Sequence, residues 1–423
     1  MMGSTMKGSA AAGVAVTAVA AAALLAGLWR TLFAAQPLDG LRTGLFALAL
    51  AVIVAGRAWL RERGPRMGVR AARMLVLGAA AMSVVGAVQL AEAWRQSTAF
   101  DSFDGSVLDI GANTHCAAAA LLHGRNPYVA RCQRTRVVPD PARGVVREAD
   151  GTVRVRGVIY RSGYPYFPLM VAAYVPAVAS MAPLAALRCT ALAALLASLF
   201  AAAALVRSVV PRGDRALAFG ATAAALLSVP QLGFELFEEC ATDVVIAPVL
   251  LLAFAAWERR RPALAGSLAA ATLGMKLFPG ALVIAAMLVA THADAAARRR
   301  FVTATALASL AIFAPAVIAA PMDFYADTML FYAVVHGVDG SSIAGHLPPG
   351  ARGAWFVAGG ALVAAALSTA RSGRPGATLR AFVLADLLFL AFNKMTRWNY
   401  FMPLGAALMI TAWLPSTAVR RDP

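Results

Sequence analysis

An all-α, polytopic integral membrane protein is the fold class predicted by three observations. Hydrophobic residues fill 60% of the 423 positions and charged residues only 14%, giving a mean hydropathy of +0.70. Apolar runs of about 20 residues, the length a helix needs to cross roughly 30 Å of hydrocarbon, recur along the whole chain. The basic residues behind the formal net charge of +17 are gathered in short segments between those runs. That pattern reports membrane orientation, because Arg-rich loops stay on the cytoplasmic side. It does not call for nucleic acid, and the composition excludes a set of soluble domains.

The first run, residues 10–29, is read as a retained helix and not a cleaved signal, since no convincing small-residue cleavage site follows it. Arg57, Arg61, Arg63, Arg66, Arg70 and Arg73 mark a cytoplasmic loop, as do Arg259 to Arg261, Arg298 to Arg300, and Arg420 with Arg421. A helix over residues 74–94 then runs outward and delivers a polar island, about 95–163, to the external face. Residues 187–206 make the return crossing. Residues 167–185, broken by Pro176 and Pro183, form a re-entrant or interfacial helix, because proline frees backbone groups that only protein or water can satisfy at that depth.

Helices over 216–230 and 244–257 flank an acidic external turn with Glu235, Glu238, Glu239 and Asp243. The run 264–288 begins and ends beside cytoplasmic arginines, so it goes out and returns, breaking at Lys276-Leu277-Phe278-Pro279-Gly280 with Lys276 toward the outer side. A helix over 301–320 leads to a second external loop, about 321–350, and three more spans end the chain. About twelve crossings result, in one membrane domain covering 1–423 with both termini cytoplasmic in the inner (plasma) membrane. No internal repeat is visible.

Four cysteines are too few for a disulfide framework. Cys116 and Cys132 fall in the external island and can pair if that compartment is oxidising, or Cys116 serves as a small apolar side chain. No metal-ligand spacing, P-loop or dinucleotide fingerprint is present, so no cofactor and no metal are expected.

The order of motifs resembles the GT-C superfamily of polytopic glycosyltransferases, and within it the bacterial family 87 mannosyltransferase-like proteins. The features that carry the resemblance are Asp109 in the first external island, Leu121-Leu122-His123-Gly124-Arg125-Asn126-Pro127-Tyr128, Tyr164-Pro165-Tyr166-Phe167-Pro168-Leu169, and Ala265-Gly266 followed by Lys276-Leu277-Phe278-Pro279. They span 109–403. Two departures stand against it: two helices precede the one leading into the Asp island, and Asn113-Thr114-His115 replaces an aromatic often found after the Asp.

The resemblance implies a GT-C-like membrane fold with large external loops. It also implies transfer of a hexose or pentose from a polyprenyl-phosphate-linked donor to a lipid, glycan or protein acceptor at the external membrane face. Such transfer needs a carboxylate to take the attacking hydroxyl's proton and cations to hold the departing phosphate. Asp109 is the candidate base, Asp101 and Asp104 being its competitors and a solvated carboxylate or helix cap its plain alternative. Lys276, Arg161 and His336 are candidates for the donor phosphate. Lys276 stands out because lysines are only three of the 38 basic residues and this one interrupts an apolar run, at a cost of about 3 kcal/mol unless it is partnered or lines a cavity. Snorkelling, or pairing with Glu235, Glu238, Glu239 or Asp243, would also account for it. Asn113, His115, Tyr128, Glu235, Asp243, His346 and Arg397 are candidates for acceptor contact or secondary roles. Trp398 and Tyr400 suit an aromatic belt, with Lys394 and Arg397 lining a lipid-carrier groove. The rival classes are a secondary transporter or flippase, with Lys276 as a pathway residue, and a non-catalytic subunit of an envelope polysaccharide system.

Overall fold

The computed structural model describes residues 65–97, 109–130, 132, 139–150, 152–160, 164–227, 236–237, 239–335, 343–393, 402–411 and 413–414. The first predicted helix, together with Asp101, Asp104, Arg161, Glu235, Glu238, His336, Asp339, Lys394, Arg397, Trp398 and Tyr400, lies outside them.

Helices dominate the described residues: α1 (Pro65–Ser97), α2 (Asp109–Leu122), α3 (Pro168–Val178), α4 (Pro183–Val209), α5 (Arg215–Leu227), α6 (Ile246–Glu258), α7 (Pro262–Met275), α8 (Leu277–Ala290), α9 (Ala295–Ala319), α10 (Pro349–Ser368), α11 (Ala377–Phe392) and α12 (Met402–Thr411). Their Ala- and Leu-rich sequences favour helix. Of the two prolines expected to break the run 167–185, Pro183 opens α4 and Pro176 lies inside α3; Pro168, Pro262 and Pro349 also occupy first turns, where a missing N–H costs nothing. Among the described residues, three helical segments are long and apolar enough to cross a bilayer: Pro183–Val209, Ala295–Ala319 and Pro349–Ser372.

Two helix lengths bear on the expected path. With 11 residues, α3 is about 16 Å long, shorter than a bilayer core, while α4, with 27 residues, is long and apolar enough to cross one. The run 264–288 folds as two 14-residue half-helices, α7 and α8, hinged where Lys276 and Phe278 both adopt extended backbone. Gly280 lets α8 press against the backbone of Leu273 and Thr272 on α7.

The core lies around α6, whose Leu250, Leu251, Ala253 and Phe254 are fully buried between α4, α7 and α11. By contrast α9 presents Leu307, Leu310 and Ile318 outward, a face suited to lipid. It meets α7 at Gly266, where an added Cβ would stand 2.5 Å from the Phe301 carbonyl oxygen and 2.8 Å from Thr305 Oγ1. The arginine-bearing ends of separate helices converge. Arg259 Nε donates to Ser208 Oγ at 3.0 Å, Arg215 Nη2 donates to the Arg207 carbonyl at 2.8 Å, and Glu258 accepts from the Gly376 amide.

Between α2 and α3 the all-α body carries one small sheet. Val145–Arg147 (β1), Val153–Val155 (β2) and Val158–Tyr160 (β3) form an antiparallel sheet in the order β1-β2-β3. Alternation explains it: Val153 and Val155 point inward while Arg154 stays out. The sheet packs on Ala326, Leu330, Phe331 and Val334 of a π-helical segment, Ala326–Val335, which continues from a short helix, Pro321–Tyr325. The segment expected to form a second external loop is therefore helical at its start.

Gly266→Val is expected to lower the thermal midpoint of the detergent-purified protein by the equivalent of about 1–3 kcal/mol, through overpacking against α9. Gly360→Ala, where an added Cβ meets nothing within 4 Å, should leave the midpoint unchanged.

Candidate active site

Away from the arginine ends, three chain segments meet. The first is α2, which begins at Asp109 and carries Asn113 and Thr114, both buried, and His115, half-buried. Thr114 Oγ1 donates to the Ile110 carbonyl at 2.7 Å. Its hydroxyl hydrogen is thereby used, so in the 3.1 Å contact between Thr114 Oγ1 and Tyr164 the tyrosine hydroxyl donates. Burial holds the His115 imidazole below its ordinary range, which favours the neutral ring.

The second segment is the turn after α2. Gly124, at φ +66°, ends the helix in the left-handed region, where glycine meets no steric penalty. Asn126 Oδ1 accepts from the Tyr128 amide at 3.0 Å, and the buried Tyr128 hydroxyl donates to the Tyr166 carbonyl at 2.9 Å. A disulfide between Cys116 and Cys132 fastens α2 to this turn, which answers the pairing left open by the sequence. Aromatic contacts extend the platform, with Tyr128 against Tyr164 and Phe324, and Tyr166 against Tyr332. The two aromatic motifs singled out in the sequence, around Tyr128 and Tyr164, thus pack on each other.

The third is the charged centre. Lys276 Nζ, at the hinge between α7 and α8, donates to Asp243 Oδ1 at 2.7 Å, just before α6. Asp243 is 1% exposed and the Lys276 side chain 19%, so the pair is sheltered. Of the two described carboxylates that the sequence offered Lys276, Glu239 and Asp243, the fold brings Asp243 into an ion pair with it. Tyr164 joins this centre to α2: burial first, opposed by the Thr114 bond and assisted by the charge of Asp243, drives its hydroxyl far above the usual range, so it remains a donor.

The sequence reading missed three buried charges. Asp386, within α11, lies in the electrostatic field of Lys276. Asp327, on the π-helical segment, acts on Tyr128. Arg188, on α4, donates from Nε to the Phe237 carbonyl at 2.8 Å. The signal that picked out Lys276, a lone charge inside an apolar run, applies equally to Arg188 and Asp386. His346, by contrast, is exposed at the end of a short helix, Ile343–His346.

The fold and site define a helical membrane protein with a buried, charged, aromatic-walled site opposite the arginine-bearing ends of its helices. No family model and no curated protein matches the chain. Among solved structures it is similar to ArnT from Cupriavidus metallidurans in the apo state, at 17% sequence identity and a TM-score of 0.46. The match covers 80% of this chain and 60% of that one.

Removing one partner of a buried ion pair strands the other charge. Asp243→Asn and Lys276→Met are each expected to lower stability by on the order of 3 kcal/mol, whereas the double variant recovers most of that loss. Thermal melts of the four proteins at equal detergent concentration read the coupling.

Proposed function

We propose that the chain is a membrane glycosyltransferase of GT-C type, moving a sugar from a polyprenyl-phosphate-linked donor to an acceptor hydroxyl at the external membrane face. The observation that carries this reading is the link from α2 through the Thr114–Tyr164 hydrogen bond to the Asp243–Lys276 pair. It supports a reading in which the helix opened by Asp109 and the Lys276 cation serve one site. Family 87 mannosyltransferase-like chemistry is the finer reading, resting on the sequence motifs.

The acceptor oxygen attacks the anomeric carbon as its proton passes to the Asp109 carboxylate. The bond from that carbon to the phosphate oxygen breaks, and its electron pair leaves with the lipid phosphate. Lys276, held at the site by its bond to Asp243 Oδ1, offers the departing charge an ammonium. Asn113, His115 and Tyr128 line the acceptor side, with His115 neutral and able to hydrogen-bond a hydroxyl. Arg161, His336, Glu235 and Arg397 keep their roles as candidates for donor or acceptor contact.

A secondary transporter is the second reading, favoured by the cluster of Lys276 with Asp243 and Asp386, since ionisable groups at membrane depth mark ion pathways. A gene deletion complemented with wild type, Asp109→Asn or Lys276→Met at equal membrane abundance separates the two. The transferase predicts that one glycoconjugate is lost by a single sugar unit in the deletion and the Asp109→Asn strain, seen by mass spectrometry. General-base catalysis contributes about 10²–10⁴-fold, so turnover in that strain should fall by that factor. An unchanged glycan profile with Asp109→Asn, and a phenotype only with Lys276→Met, would favour the transporter.

A further inference from the structure

Arg188 is 4% exposed, a guanidinium held almost wholly inside the protein. A cation in that position is costly unless its surroundings answer its charge. Its Nε donates to the Phe237 carbonyl, which leaves the four N–H groups of the terminal fork. Among the described residues no carboxylate forms an ion pair with it. Cys240 lies within its field, but burial pushes that thiol up to about 11 despite the nearby guanidinium, so Cys240 is a neutral neighbour and no counter-anion. Glu235 and Glu238 lie outside the described residues.

Depth gives the second argument. Along α4, Arg188 and Ser208 are 20 residues apart, about 30 Å at 1.5 Å per residue, which equals the thickness of a bilayer's hydrocarbon core. Ser208 accepts from Arg259 in the arginine-rich end. Arg188 therefore lies about one hydrocarbon thickness from the arginine-rich end, the distance that separates the two headgroup levels of a bilayer. Trp94, near the end of α1, packs edge-on against Phe237 at 5.2 Å and walls the same position.

Charge balance gives the third. Asp243 neutralises Lys276, so a phosphate arriving at Lys276 alone meets a pair with no net positive charge. Arg188 and Asp243 are held by one short stretch, since Phe237, Cys240 and Asp243 follow each other within seven residues. A guanidinium fork matches two phosphate oxygens at once, which an ammonium cannot do.

We propose that Arg188 is a phosphate-binding residue that clamps the lipid-linked phosphate of the donor at the headgroup level, beside the Asp243–Lys276 pair. This rests on the transferase reading and adds to it the group that supplies the missing positive charge. The shared chemistry, a phosphate ester on a lipid, is found both in polyprenyl phosphates and in bulk anionic phospholipid, and the test separates them.

The full chain is placed in phosphatidylcholine nanodiscs and titrated with undecaprenyl phosphate and with undecaprenol, bound lipid being read by native mass spectrometry. The expected result is that wild type prefers the phosphate by about tenfold or more. Arg188→Gln should abolish the preference without weakening undecaprenol binding, and Arg371→Gln, an exposed arginine at the other end, should keep it. Because Arg188→Gln also withdraws the donor to the Phe237 carbonyl, Arg188→Lys serves as a second variant. It retains the charge and should bind the phosphate several-fold less tightly than wild type. Wild-type affinity in either variant overturns the assignment while leaving the transferase reading intact. No phosphate preference in the wild type, with no sugar transfer, defeats both. Loss of the wild-type preference when phosphatidylglycerol replaces part of the phosphatidylcholine assigns the site to bulk lipid and overturns its link to the donor.

Discussion

The ion pair between Lys276 and Asp243 is the constraint on which the site depends. An ammonium at membrane depth is tolerated only where a partner or a polar cavity answers its charge. Here the partner stands just before α6, the most buried helix of the bundle, so satisfying Lys276 pins the tip of the α7–α8 hairpin to the core. The broken backbone around Lys276 and Phe278 comes to rest beside the same polar centre. Half-helices with an irregular hinge are viable in a bilayer when the hinge is buried in protein, and the charge and the break therefore share one solution.

Around that pin the rest of the site is fixed by packing that is aromatic on one side and covalent on the other. The disulfide between Cys116 and Cys132 and the Asn126 turn hold Tyr128 beneath Tyr166, and Tyr164 reaches from this platform to Thr114. The buried polar groups on α2 and the cation on the hairpin are consequently positioned by different parts of the chain. Rigid placement of reacting groups is what converts an encounter into an oriented attack, and a 1 Å displacement is costly for that reason. The sheet β1-β2-β3 and the π-helical segment beneath it brace the platform from above, burying Val145, Val153 and Val155 against Leu330 and Phe331.

The charge balance of the site is asymmetric. Lys276 faces Asp243 and lies in the field of Asp386, whereas Arg188 faces a backbone carbonyl and a neutral thiol. Both cations flank the short stretch that begins at Phe237 and ends at Asp243. A site organised in this way can hold a lipid phosphate on one flank while the other keeps the hairpin in place, which separates recognition of the donor from maintenance of the fold.

Much of the architecture was legible in the sequence because hydrocarbon imposes simple rules: apolar runs of sufficient length, arginines gathered between those runs, and prolines often at helix starts. These rules gave α4 as a crossing, α3 as too short, and the hairpin break at Lys276. The reach of Lys276 toward an acidic partner was also readable, since few carboxylates were available on the acidic turn. Which carboxylate it would meet was not, because Asp243 and Lys276 are separated by two helices and only the packing of α6 against α7 brings them together. The same holds for Thr114 with Tyr164, 50 residues apart, and for the sheet, whose valines alternate too briefly to announce strands until the segment at Ala326–Val335 covers them. Sequence alone determined what must be buried and where charge is unwelcome. The tertiary structure decided which charges and hydroxyls answer one another, because partner choice depends on distances that no local pattern encodes.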